Sequence, residues 1–426
     1  MTQGRPWRWV PTLYFAQALP NVAVATLSVV MYKNLGLSNT EIALWTSWLY
    51  LPWVIKPLWS PLVDLLGTKR GWTVALQYIV GLVFALVALM LPASQFFQLT
   101  LAMFWLLAFA SATHDIAADG FYMLALTEKK QAALVGVRST FFRLGMIAGQ
   151  GALVVLAGKL FETNGNYVLA WQVVFVLLAA MFVAAALWHG WVLPRSASDH
   201  DAPRSDNALA EFFAVFAAFF AKRGVVLILA FLLLYRFAEA QLLKLAAPFL
   251  LDARDQGGLA ISTAQLGIVY GTAGVAALTI GGILGGLYIS HVGLKRALWP
   301  LLLAMHVPNA AYVALALWQP EDLWLIGSAI VVEQFGYGFG FTAYMVYMLM
   351  IASDDPEHRT AHYAICTGFM ALGMMLPGMA AGWLQAQWGY TLFFVWVCAA
   401  RLPSFGVAAL LKIDPAFGRR DDNPGS

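Results

Sequence analysis

The chain is short of charge. Only 11% of its 426 residues are Asp, Glu, Lys or Arg, while 61% are hydrophobic and the mean hydropathy is +0.73. Soluble domains carry about 25% charged residues, so a soluble fold of this length is excluded and the chain requires lipid as its solvent. Cysteine is scarce as well. Cys366 and Cys398 are the only two; they fall in separate apolar segments and suggest neither a disulfide framework nor a metal site. No nucleophile–base set and no cofactor motif occurs, so the sequence does not read as an enzyme and asks for no cofactor. The net charge of +3 is what basic loops beside a membrane produce, and it gives no reason to expect nucleic acid as a partner.

What is present is a succession of long apolar runs. Read with a span of about 20 residues, they number twelve, at approximately 10–33, 39–62, 72–92, 97–126, 135–160, 166–192, 224–251, 262–290, 296–318, 322–352, 361–386 and 389–411. The expected fold is an all-α integral membrane protein with twelve transmembrane helices. One long polar interval divides them, giving a six-helix half at 1–194, a linker at 195–223 and a second half at 224–426. The second part of the linker, Asn207 to Arg223, reads as an amphipathic helix lying at the membrane surface. A cleaved signal peptide is not expected, because the first run is too long and carries Gln17, Pro20 and Asn21. With the N-terminus inside, the basic residues fall overwhelmingly on the cytoplasmic side and only Lys33, Lys159 and Arg254 on the other. That bias places both termini in the cytoplasm.

The two halves repeat one another. "SPLVDLLGTKR" (60–70) closes the second run and "GLYISHVGLKR" (286–296) closes the eighth, so that Gly67 meets Gly293, Lys69 meets Lys295 and Arg70 meets Arg296. "YFAQA" (14–18) and "RFAEA" (236–240) recur at nearly the same offset in the first and seventh runs. Glycines four apart, such as Gly145 with Gly149 and Gly378 with Gly382, read as close helix packing.

Ionisable groups inside apolar runs are the informative residues, since a charge at the bilayer centre costs roughly 2.5–3.5 kcal/mol on insertion scales. The fourth run holds His114, Asp115 and Asp119; the seventh holds Arg236, Glu239, Gln241 and Lys244; the tenth holds Glu333 and Gln334; the first holds Gln17 and Asn21. Asp115 and Asp119 share a helix face at i, i+4, with His114 rotated by about 100°. Asp119 lies level with Lys56 and Arg143 and reads either as their neutralised partner or as a titrating group. Arg236 and Glu239, at i, i+3, read either as a mutual pair or as substrate contacts. His306 reads as a packed or interfacial histidine.

The loop at 60–70 resembles the signature of the major facilitator superfamily, matching at Asp64, Gly67, Lys69 and Arg70 and departing at Ser60 and Leu65. That resemblance implies two six-span halves in parallel repeat, a cavity lined by spans 1, 4, 7 and 10, and a gate latch formed by Asp64 with Lys69 and Arg70. "WVIKPLWSPLVD" (53–64), "THDIAADGFYM" (113–123), "FFRLGM" (141–146) and "LYRFAEA" (234–240) further resemble motifs of the AmpG-type muropeptide permeases, a family related to acetyl-CoA transporters. His114 stands where that family usually has Gln, and Glu239 where it often has Asp. The resemblance implies a monomeric, proton-coupled permease of the inner membrane that takes a small-molecule substrate, anhydromuropeptides or related amino sugars, into the cytoplasm. Siderophore importers of the pyochelin and rhizobactin type are similar too, and a non-transporting sensor on the same fold is a further reading. By this resemblance Asp115, Asp119, His114, Glu239 and Glu333 are candidates for proton coupling. Arg236 and Lys244 would clamp carboxylates, with Gln17, Asn21 and Gln334 as polar contacts and Tyr14, Tyr235 and Tyr337 as faces for sugars. Lys56, Arg143, Gly293, Lys295 and Arg296 join the gate and structural set.

Overall fold

The computed structural model describes residues 6–195, 208–355 and 358–420, the side chains of 61, 62, 64, 65, 128, 132 and 208–212 excepted. Every regular element among them is helical, as lipid demands of a backbone that must satisfy its own hydrogen bonds. Ten helical stretches are long and apolar enough to cross a membrane, from Pro6–Asn34 to Arg359–Leu410. Two more spans complete twelve. One is 39–65, which breaks at 49–50 into Asn39–Trp48 and Leu51–Leu65. The other lies within Arg359–Leu410, where Gly389, at φ 70° and ψ 171°, divides 359–388 from the last span. Only glycine takes that conformation without strain.

Local sequence explains where spans begin. Thr68 caps the third span, Lys69–Met90, accepting from the Gly71 amide, and Asn166 caps the sixth, Tyr167–Val192. A capping box of Ser262 and Gln265 opens the eighth, Thr263–Val292, so that two otherwise orphaned amides are satisfied reciprocally. The repeat is visible in the backbone: Gly67 (φ 109°) and Gly293 (φ 80°) both turn with positive φ at matching places. The linker helix, Ala208–Phe220, ends with Phe219 fully buried against the ring of His362, while Phe213 stays exposed.

The chain divides into two compact units. The first comprises Met1–Leu37, Trp48–Asp206 and Ser262–Thr272; the second comprises Ser38–Ser47, Asn207–Ile261 and Ala273–Ser426. Within the first unit, the fifth span (Ala133–Asn164) and the start of the eighth meet backbone to backbone. A Cβ on Gly158 would stand 2.2 Å from the Ala264 nitrogen, and one on Gly271 1.9 Å from the Gln150 oxygen. Both stretches loosen into π-helix, at Ala148–Leu153 and Gly267–Gly274, a local unwinding frequent at functional sites. Asn34 Nδ2 donates to Thr263 Oγ1 at 2.9 Å and ties the end of the first span to the same place. Within the second unit, Asn39 Nδ2 donates to Asp252 Oδ2 (3.1 Å) and to the Tyr390 hydroxyl (2.8 Å), which itself donates to Asp252 at 2.6 Å.

Candidate functional site

In the first unit the fourth span, Phe96–Ala125, places its acids in two different environments. Asp115 Oδ1 accepts from Gln17 Nε2 at 2.9 Å, and its Oδ2 accepts from the Trp53 indole at 3.2 Å, with Lys56 Nζ at 3.7 Å. Trp53 and Lys56 reach it because they lie just past the break in the second span, three residues apart on one face. Asp119 pairs with Arg138 at 2.8 Å and accepts from the Tyr14 hydroxyl at 3.2 Å. The Arg138 guanidinium also lies 4.5 Å from the centre of the Tyr14 ring and 5.5 Å from that of Tyr122, within cation–π range. As a neutralised acid Asp119 was expected to pair with Lys56 or Arg143. The structure corrects the partner: Lys56 lies by Asp115, and Arg138, five residues before Arg143 on the fifth span, takes Asp119.

His114 does not join the acids. It turns to the third and sixth spans, where Gln77 Nε2 stands 3.2 Å from His114 Nε2, Gln77 Oε1 stands 2.9 Å from His189 Nδ1, and Thr12 Oγ1 stands 2.9 Å from His189 Nε2. With His189 donating to the Gln77 carbonyl and the Gln77 amide to His114, neither ring needs a charge; the single Thr12 hydrogen faces both His189 Nε2 at 2.9 Å and the Trp9 carbonyl at 3.2 Å. Asn21, one turn beyond Gln17, is half-buried.

The second unit carries the other cluster. The seventh span breaks between Val225–Leu234 and Phe237–Leu251, and Arg236 occupies the break. Its guanidinium donates to the Tyr337 hydroxyl and lies 4.6 Å from the centre of the Phe341 ring. Arg236 is 7% exposed, and its Nε has no hydrogen-bond partner. Of the two readings of Arg236 and Glu239, a close mutual pair is not formed: no carboxylate among the described residues lies within 4 Å of Arg236, and Glu239 acts on it only from farther away. Glu239 instead accepts from Asn309 Nδ2 at 3.2 Å, and Glu333 from Gln334 Nε2 at 3.0 Å. The two carboxyls, both fully buried, act on each other, and the Tyr312 hydroxyl acts on Glu333 as well. Lys244 Nζ donates to Thr46 Oγ1 at 2.9 Å. The Tyr235 hydroxyl is taken by the Gly340 carbonyl at 2.9 Å, in a packed aromatic core that leaves it no face for a sugar.

The gate candidates divide. The Asp64 side chain lies outside the described residues. Arg70 donates from Nε to the Leu193 carbonyl at 3.1 Å and from its fork to that of Gly190, holding the end of the sixth span, and Lys69 lies against Gly120. Their counterparts Lys295 and Arg296 are exposed. Sequence reasoning passed over Arg138, Gln77, His189 and Asn309. Gln77 and His189 are isolated polar residues in apolar runs, which is itself the signal; Arg138 was masked by the basic loop beside it. A cavity of about 370 Å³ between the first, fifth and sixth spans is lined by Phe15, Leu19, Phe141, Phe182 and Trp188 and reaches none of these acids.

Known proteins agree with the architecture. The family profile described as Major Facilitator Superfamily matches residues 12–355. The chain is 25% identical over 377 residues to the anhydromuropeptide permease of Escherichia coli K12, covering 87% of this chain and 72% of that protein. Its fold is similar to the crystal structure of the nucleoside transporter NupG, with a TM-score of 0.70 at 16% identity over 97% of this chain and 100% of that one. It is similar also to an inward-facing, unoccupied bacterial homolog of the human lysosomal transporter Spinster (TM-score 0.66, 16% identity, 95% and 96% covered). At such identity these structures speak to the fold alone.

Proposed function

This chain belongs to the major facilitator superfamily, and on that footing we propose that it is a proton-driven permease importing anhydromuropeptides or related amino-sugar compounds from periplasm to cytoplasm, with both termini cytoplasmic. The observation that carries the reading is Arg236. Among the described residues no carboxylate lies within 4 Å of this buried guanidinium, its Nε is unused, and Glu239 acts on it only from farther away, so an ion at membrane depth is left short of close counter-charge. It sits where a span breaks, so the first amides of Phe237–Leu251 add their partial positive charge. An anionic substrate supplies the missing charge, and a peptide-bearing sugar offers carboxylates for the planar fork. Lys244 is the second cation, and the faces of Tyr337 and Phe341 suit sugar rings. Gln334 provides a further polar contact.

Proton coupling falls to the acids that lack a cation. Asp119 is held by Arg138 and serves structure. Asp115 has Lys56 only at 3.7 Å. Among the described residues Glu239 and Glu333 have no cation within 4 Å, Arg236 acting on Glu239 only from farther away, and the two carboxyls act on each other; two neighbouring carboxylates cannot both stay ionised cheaply. We assign the carried proton to this pair, with Asp115 next.

Uptake into liposomes under an imposed pH gradient tests the reading. Labelled anhydromuropeptide is expected to accumulate, and a neutral sugar analogue without the peptide is expected to be transported poorly. Accumulation of a ferric siderophore with no muropeptide uptake would transfer the assignment to siderophore import.

A further inference from the structure

The turn before the eleventh span gathers three metal-ligating side chains that the transport site does not use. Asp355 Oδ2 lies 3.0 Å from His358 Nδ1 and 3.9 Å from His362 Nδ1. One ligand atom from each of the three residues lies within 4.8 Å of the others. His358 and His362 are one helical turn apart on the same face, with ring centres 5.8 Å apart. Around a tetrahedral ion with ligands at about 2.0–2.1 Å, donor atoms stand about 3.4 Å apart. Two of the observed separations already bracket that value.

His362 is the informative member. It is fully buried, and its Nε2 is 3.3 Å from the Val215 carbonyl on the linker helix. A carbonyl only accepts, so Nε2 carries the hydrogen and Nδ1 presents a lone pair. That lone pair has no hydrogen-bond partner and points toward a carboxylate oxygen at 3.9 Å, too far for a hydrogen bond. A lone pair facing a carboxylate oxygen is stabilised when a cation stands between them, and such a cation would displace the hydrogen that His358 Nδ1 shares with Asp355 Oδ2 at 3.0 Å. A ring whose far N–H is held by a backbone carbonyl, fixing tautomer and orientation, is the usual support of a metal-bound histidine.

We propose that Asp355, His358 and His362 form a binding site for a divalent transition-metal ion, with zinc the best match to two imidazoles and a carboxylate. Three protein ligands leave a position for water, so the ion exchanges rather than being locked in. Because Val215 and Phe219 of the linker helix contact His362, a bound ion fixes the connection between the tenth and eleventh spans against that helix. The site is separate from the Arg236 cluster, and the inference does not depend on the substrate.

The test uses full-length protein purified in detergent through a histidine-free tag, stripped with chelator, and titrated with Zn²⁺ by calorimetry and with Co²⁺ by visible absorption. One ion per chain with a micromolar or tighter Kd is expected, together with a rise in unfolding temperature on adding zinc. Asp355→Asn and His358→Gln, whose side chains are 27% and 29% exposed and so leave packing intact, should each weaken binding at least tenfold and abolish the thermal shift. Absence of stoichiometric binding by the native chain, or unchanged affinity in both variants, overturns the proposal.

Discussion

Removing the charge of Asp119 isolates what the Asp119–Arg138 pair does. At 2.8 Å and an effective dielectric of about 20, the gross Coulomb attraction is about 6 kcal/mol. Both side chains are about a third exposed, at 35% and 33%, so water screens part of that attraction. The desolvation already incurred removes more. The expected net loss for Asp119→Asn is about 2 kcal/mol, most of it from leaving Arg138 without a counter-charge among Tyr14 and Tyr122. At about 2–4 °C per kcal/mol for chains of 150–250 residues, and less for a longer one, the unfolding temperature in detergent should fall by about 4 °C, with less folded protein in the membrane. The double variant Asp119→Asn, Arg138→Gln removes both charges and leaves two amides able to hydrogen-bond. It should recover most of the loss and retain gradient-driven uptake. A double variant as unstable as the single one refutes the pair as an energetic unit. A stable double variant that has lost accumulation moves Asp119 into the coupling path.

Arg236→Lys keeps the charge but loses the fork, so the KM for an anionic substrate should rise about tenfold while transport persists; an unchanged KM argues that Arg236 serves only the fold. Glu239→Gln should abolish accumulation against a gradient yet leave downhill exchange measurable, and normal accumulation would pass the role to Asp115. Gly271→Ala must widen a 1.9 Å approach to the Gln150 oxygen to the roughly 3.4 Å of ordinary contact, a strain overpacking usually charges at about 1–3 kcal/mol. Transport should fall at least tenfold with the protein still in the membrane, and a native rate would show that the fifth and eighth spans have slack there.

Apolar length made the spans legible: Phe96–Ala125 and Tyr167–Val192 lie within a residue of expectation, because a run that must cross lipid has few other options. Arg236 and Glu333, singled out as ionisable residues inside apolar runs, are indeed buried. Pairing was not legible. Periodicity gives each residue a face, but which face meets which neighbour depends on how helices rotate and cross. Lys56 thus went to Asp115, and His114 joined Gln77 and His189 instead of the acids. The seventh span offered no glycine or proline at 235–236 to announce its break, and the i, i+3 spacing therefore left a helical pair with Glu239 open beside a substrate contact. The sixth and ninth spans drew little notice, yet they supply His189 and Asn309.

Each compact unit includes a short stretch that belongs, in sequence, to the opposite side of the linker: Ser38–Ser47 in one, Ser262–Thr272 in the other. The changeovers fall near helical irregularities, the break at 49–50 and the π-helical stretch Gly267–Gly274. A chain cut at the linker therefore yields two fragments, each lacking a piece of the unit it would have to build. Synthesised alone, either fragment leaves Gly158 or Gly382 facing lipid or water in place of Ala264 or Asn39, and so offers itself to quality-control proteases. Synthesised together, the fragments can complete one another. During biosynthesis the first unit stays unfinished until the eighth span has left the ribosome.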